Sequence, residues 1–147
     1  MSKLLSIILV LVASICNAQN SKPFVTLGAF VPVVASTEFK APFSMGTNLF
    51  VSSALITSKS FHSISYGFGN NSLLFMSGYF LKHDFDVYGV YSKPLSHKGN
   101  YAGLGIERME KVGNVKFFEF CELGTTFDGS TILSVGLITN VSWALRR

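Results

Sequence analysis

TILSVGLITNVSWAL, residues 131–145, sets Leu133, Val135, Leu137, Val141 and Trp143 against Ser134, Gly136, Asn140 and Ser142. Successive side chains of a strand point to opposite faces, so this stretch reads as one β-strand with an apolar side and a small, weakly polar side. The same period of two appears near the start of the chain, where Val25, Leu27, Ala29, Val31 and Val33 alternate with Thr26, Gly28, Phe30 and Pro32. His62, Ile64, Tyr66 and Phe68 alternate likewise with Ser63, Ser65, Gly67 and Gly69.

Between these stretches, segments of about ten residues are separated by clusters of Gly, Asn, Asp, Ser, Lys and Pro. They predict eight strands, over 24–34, 47–57, 61–69, 73–82, 86–93, 101–109, 115–126 and 131–145. Gly69-Asn70-Asn71-Ser72, Lys82-His83-Asp84, Lys111-Val112-Gly113-Asn114 and Asp128-Gly129-Ser130 are short connections rich in residues that tolerate positive φ. Such turns join antiparallel neighbours, giving an up-and-down meander. The first and fifth links, 35–46 and 94–100, are longer and emerge at the same end.

The beginning of the chain has a different character. Met1-Ser2-Lys3, an apolar run from Leu4 to Ile15, and Cys16-Asn17-Ala18 follow the order of a secretory signal, with cleavage expected after Ala18. The run is short for a helix crossing hydrocarbon, which needs about 20 residues. Acylation of Cys16 is the alternative, against which Ile15 stands as a bulky preceding residue. Residues 1–18 are thus read as a signal peptide and 19–147 as a single barrel domain. With Cys16 removed, Cys121 is left alone, and no intramolecular disulfide supports the fold. After the leader, eleven Lys and Arg are scattered among eight Asp and Glu, which offers no clustered basic face for nucleic acid.

A meander of about eight strands removes its unpaired edges by closing into a β-barrel, so the fold class is all-β. Side-chain size assigns the faces. Gly28, Gly67, Gly69, Gly78, Gly89, Gly103, Gly105 and Gly136, with Ser63, Ser65, Ser134 and Ser142, suit a narrow, crowded interior. Leu49, Val51, Leu55, Phe75, Tyr79, Tyr88, Val90, Leu104, Ile106, Phe118 and Phe120, with the apolar residues of 131–145, suit hydrocarbon outside. Closed barrels leave no backbone amide unpaired in lipid, and strands of about 9 to 11 tilted residues span it. The alternative is a soluble, lipocalin-like exported barrel whose greasy face lines a cavity for a small apolar ligand. Glycine-rich outward faces would weaken such a barrel.

In strand count, dyad alternation, glycine placement and leader, the whole of 19–147 resembles the small outer-membrane β-barrel proteins of Gram-negative bacteria. Many of these end on an aromatic residue, whereas this chain ends Trp143-Ala144-Leu145-Arg146-Arg147. The resemblance implies an outer-membrane location, outer-membrane lipid as surroundings, and work in envelope structure or in surface adhesion and binding through the longer loops. The loop 35–46, with Glu38, Phe39, Lys40 and Phe43, is the expected contact surface for an extracellular partner. Tyr66, Tyr79, Tyr88, Tyr91, Tyr101 and Trp143 are candidates for aromatic girdles.

No residue pattern points to an enzyme, a cofactor or a metal. A three-residue loop at Val112 would set Glu107 opposite Glu119 on the inner face and Glu110 opposite Lys116 on the outer one. The expected result is a luminal charge cluster of Glu107 and Glu119 balanced by Lys93, rather than a general acid/base pair. His62, His83 and His97 have no metal-ligand spacing, and Cys121 is expected to be a buried apolar thiol. Gly103-Leu104-Gly105 lacks the helix of a phosphate loop, and Asn70-Asn71-Ser72 and Asn140-Val141-Ser142 match the glycosylation triplet without implying an activity.

Overall fold

The computed structural model describes residues 23–38, 44–95, 99–112 and 115–145. It consists of β1 (Phe24–Glu38), β2 (Ser44–Thr47), β3 (Phe50–Ile56), β4 (Ser60–Gly67), β5 (Ser72–Phe80), β6 (Phe85–Pro94), β7 (Tyr101–Val112), β8 (Val115–Thr126) and β9 (Thr131–Leu145). Every paired neighbour is antiparallel. The sheet closes on itself where β1 pairs with β9, from Val25↔Leu145 to Glu38↔Ile132. β2 and β3 keep one register against β1 (Val33↔Thr47, Phe30↔Phe50), and so form a single stave interrupted at Asn48 and Leu49. The result is the eight-stranded closed meander that the periodicity and the turns imply.

The interruption has a local cause. In that register Pro32 lies across from Asn48, and proline has no N–H to give to a ladder. The Asn48 side chain is turned to other use: its Oδ1 accepts from the Gly69 amide at 2.6 Å and its Nδ2 donates to Asn70 Oδ1 at 2.7 Å. Ser72 donates to the same Asn70 oxygen at 2.7 Å, and Tyr66 donates to Asn71 Oδ1 at 2.8 Å. The β4–β5 turn is thereby tied to the broken stave.

Strand directions put both described chain ends at one rim, here the terminal rim, with the connections 57–59 and 81–84 and with the end of β7 and the start of β8. The connections 68–71 and 127–130 lie at the opposite, loop rim, where β1 also ends and β2 begins and where β6 ends and β7 begins. The first and fifth links share that rim, as expected. The first is shorter than the sequence suggests, because β1 runs on to Glu38 and β2 begins at Ser44.

On β1 and β9 the alternation has the expected sense. Leu27, Val33, Val135 and Leu137 are exposed on the outside, Thr26 and Ser134 are buried within, and Gly136 lies beneath the Phe120 ring. This is the reverse of a calyx lined by the greasy face. Two other strands correct the sequence reading. Tyr88 and Val90 of β6 point inward, 4% and 8% exposed, while Gly89 lies on the outer wall beside Leu104. Phe118 and Phe120 of β8 also line the interior.

Stagger explains how the lumen accepts these rings. A register row starting at Thr26 passes through Ala54, Ser63, Met76, Val90, Gly103, Gly124 and Ile132 and returns to β1 at Glu38, twelve residues beyond its start. Strand tilt, stagger and diameter are linked, so a large stagger widens the cylinder. Inward glycines then serve as seats for rings on neighbouring strands. A Cβ at Gly67 or Gly78 would stand 2.6 Å from a ring carbon of Phe50 or Phe61, and one at Gly136 would stand 2.7 Å from Phe120. Gly105 is covered in the same way by Tyr88, and Gly124 by Tyr101.

Overpacking a filled interior costs about 1–3 kcal/mol. Gly105→Ala should therefore destabilise the barrel by that amount, whereas Gly89→Ala, whose added Cβ would meet nothing nearer than 3.7 Å, should be nearly neutral. Urea unfolding in lipid vesicles, followed by the fluorescence of the single tryptophan, measures the difference.

Candidate functional site: a lumen divided into two chambers

The interior holds two cavities, of about 410 Å³ toward the terminal rim and about 510 Å³ toward the loop rim. Phe30, Met76 and Ile138 border both, so these side chains form the partition. Phe30 is fixed there by stacking on Phe50, its register partner, with ring centroids 4.9 Å apart and planes within 5°.

The two chambers differ in how their carboxylates are satisfied. On the loop side, Tyr101 Oη donates to Glu122 Oε1 at 2.6 Å, and Tyr88 lines the same chamber. β6, β7 and β8 position these groups, and each phenol rests on a glycine of the next strand, Tyr88 on Gly105 and Tyr101 on Gly124. On the terminal side, Asp86 and Glu107 are direct cross-strand neighbours, 7% and 6% exposed. No hydrogen bond or ion pair reaches either carboxylate among the described residues.

The expected cluster of Glu107, Glu119 and Lys93 is not assembled. Glu107 is luminal, but the β7–β8 hairpin pairs Val112 with Val115, one residue tighter than the expected loop, and a one-residue shift turns every side chain of a strand to the other face. Glu119 consequently lies opposite Arg108 on the outer wall, and Glu110 opposite Phe117 rather than Lys116. Arg108 and Glu110 form an ion pair of 3.1 Å on that wall. Lys93 is exposed and pairs with Leu73, while Lys116 turns inward and borders the terminal chamber. Sequence reasoning missed Asp86 and Glu122. Both would follow from Glu107 by counting in twos across the true hairpin registers.

The remaining candidates separate as follows. Glu38 closes β1, and Phe39, Lys40 and Phe43 lie outside the described residues. His62 stands on β4, its Nδ1 2.8 Å from Ser77 Oγ; His83 occupies a turn at φ 62°; and His97 lies outside the described residues. No group of three metal-ligating side chains converges among the described residues. Cys121 is not buried but exposed on the outer wall between Ile106 and Val135. Tyr88 and Tyr101 belong to the lumen rather than to a girdle, whereas Tyr66, Phe68, Phe75, Tyr91 and Phe127 interact edge-on or tilted near the loop rim. At that rim the Thr126 hydroxyl and the Ser130 amide hydrogen-bond Asp128, holding its carboxyl below the ordinary range and fixing the β8–β9 turn.

Comparison with protein-family models and with characterised proteins finds no match. Among solved structures, the chain is similar to Neisserial surface protein A (NspA), at 8% identity and a TM-score of 0.41. The similarity covers 82% of this chain and 99% of that one.

Hydrogen bonds to a charged group contribute about 1.5–3 kcal/mol, and an unpaired buried carboxylate contributes nothing favourable. Tyr101→Phe should accordingly lower the unfolding free energy by about 1–3 kcal/mol. Glu107→Gln should leave it unchanged or raise it. Urea titrations of the two variants in one non-ionic detergent make the comparison.

Proposed function

We propose that this chain is a non-enzymatic outer-membrane β-barrel with a side-chain-filled lumen, which works in envelope structure or in surface adhesion and binding through its loop rim. The observation that carries the proposal is the orientation of the wall. Large apolar side chains, among them Leu27, Val31, Leu49, Val51, Ile64, Leu104, Ile106, Leu123 and Val135, stand exposed around the outside. Soluble monomers seldom expose contiguous apolar patches beyond a few hundred Å², so a greasy band on every stave calls for a partner that surrounds the barrel, and hydrocarbon does so.

The charges of the outer wall fit such surroundings. Arg108, Glu110 and Glu119 form one patch on β7 and β8, where the cation is already ion-paired with one carboxylate and faces the other across the ladder. Charges at a membrane are tolerated when they neutralise one another. Aromatic groups near both rims, with Tyr66 and Tyr91 toward the loops and Tyr79 and Phe85 toward the termini, suit a boundary between acyl chains and water. Eight staves with aromatic rings turned inward support a structural or surface-binding role over diffusion of solutes, since aqueous channels belong to barrels of about 16 or more strands.

The reading requires the protein to fractionate with membranes. Released protein should appear only after detergent extraction and should migrate faster on an unheated gel than after boiling. Recovery in the aqueous fraction without detergent, with no heat-dependent shift, would falsify it.

A further inference from the structure

The terminal chamber contains acceptors that the barrel itself leaves without donors. Asp86 and Glu107 project into it side by side, each more than nine-tenths buried and without a hydrogen bond from any described residue. Asn140 Oδ1, on the same chamber's wall, is an independent third case: a buried oxygen with no partner. Lys116 borders the cavity as well, yet it forms no ion pair with either carboxylate. By contrast, Glu122 in the neighbouring chamber is held by the Tyr101 phenol.

What surrounds these oxygens defines the missing donor. Phe61, Phe80, Phe118, Met76 and Met109 give the wall an aromatic and thioether surface, and Asp84 adds a further carboxylate at its edge. No set of three metal-ligating side chains converges there among the described residues. A primary ammonium, in contrast, carries three N–H donors, gains from the face of an aromatic ring, and can bring an apolar body to fill the remaining space. About 410 Å³ is within the range of small-molecule pockets.

We infer that the terminal chamber is a binding site for a primary amine borne on an apolar, fragment-sized body, with Asp86, Glu107 and Asn140 receiving the ammonium. This assigns the barrel a ligand class independent of its loops, and it holds whatever the loop rim contacts. Lys116 is the internal rival, because its own ammonium would occupy the carboxylates if it swung inward.

The test is calorimetric titration of the full chain, folded in dodecyl maltoside, with 4-phenylbutylamine, and with the neutral 4-phenylbutan-1-ol in parallel. Saturable binding of the amine is expected, at least about tenfold tighter than the alcohol, and Asp86→Asn with Glu107→Gln should remove that advantage. Lys116→Gln, which leaves the acceptors intact, should bind the amine as tightly as the unaltered chain or more tightly. It serves as the reporter if the double variant fails to show the heat-dependent gel shift of a folded barrel. Equal affinity for amine and alcohol would mean partition into an apolar cavity only and would overturn the inference. So would an undiminished preference in a folded double variant, or no saturable binding to the unaltered chain and to Lys116→Gln alike.

Discussion

The ladder between β1 and β9 is the contact on which the rest of the structure depends. It joins the first strand to the last over almost their whole described length, from Val25↔Leu145 to Glu38↔Ile132, and leaves only the short β2, paired with β1 alone, with a free edge among the described strands. A backbone polar group stranded in hydrocarbon costs several kcal/mol, so a closed ladder is the condition under which a wall of Leu, Val and Ile can face lipid at all. Closure also sets the stagger. Twelve residues separate the two ends of a register row on β1, and that offset tilts the staves and widens the cylinder.

Width in turn explains the interior. A narrow lumen would admit only glycine, serine and alanine, whereas this one places Phe30, Phe50, Tyr88, Phe118 and Phe120 inside. Glycines are retained in the strands because rings lie across them: Tyr88 over Gly105, Tyr101 over Gly124 and Phe120 over Gly136. Their cost in strand propensity is offset by ring burial, and one of these rings, Tyr101, carries the phenol that hydrogen-bonds Glu122. Packing at the waist, with Phe30, Met76 and Ile138 shared by both cavities, separates this satisfied carboxylate from the unsatisfied Asp86 and Glu107. One lumen thereby carries two distinct chemical environments.

Much of this was legible in the residues. Period-two alternation in 24–34, 61–69 and 131–145 identified strands and their outward faces, because there one side is uniformly bulky and the other uniformly small or capped by turn residues. The Asn-, Asp- and Gly-rich connections identified the meander. The faces of β6 and β8 were not legible, for a physical reason. Tyr88-Gly89-Val90 and Phe117-Phe118-Glu119-Phe120 carry bulky groups on either parity, and a wide lumen accepts an aromatic ring as readily as lipid does. Only hairpin register decides such strands, and at 113–114 a single residue of loop length moves Glu119 from the lumen to the wall beside Arg108. The candidate site was thus half visible: Glu107 and the inward side of Asn140 were found, while Asp86 lay on β6, whose face local sequence does not encode.

Cys121 offers the most direct test of the wall's orientation, since it stands on the outer face with Ile106 and Val135 as cross-strand neighbours. With Cys16→Ser in place, a nitroxide attached to Cys121 of the chain folded in phospholipid vesicles reports its surroundings through collisions with dissolved oxygen and with a water-soluble nickel chelate. The account requires oxygen collisions to dominate and nickel collisions to be suppressed, as for a group among acyl chains. Dominant nickel collisions at this position would place the apolar wall in water and contradict the account.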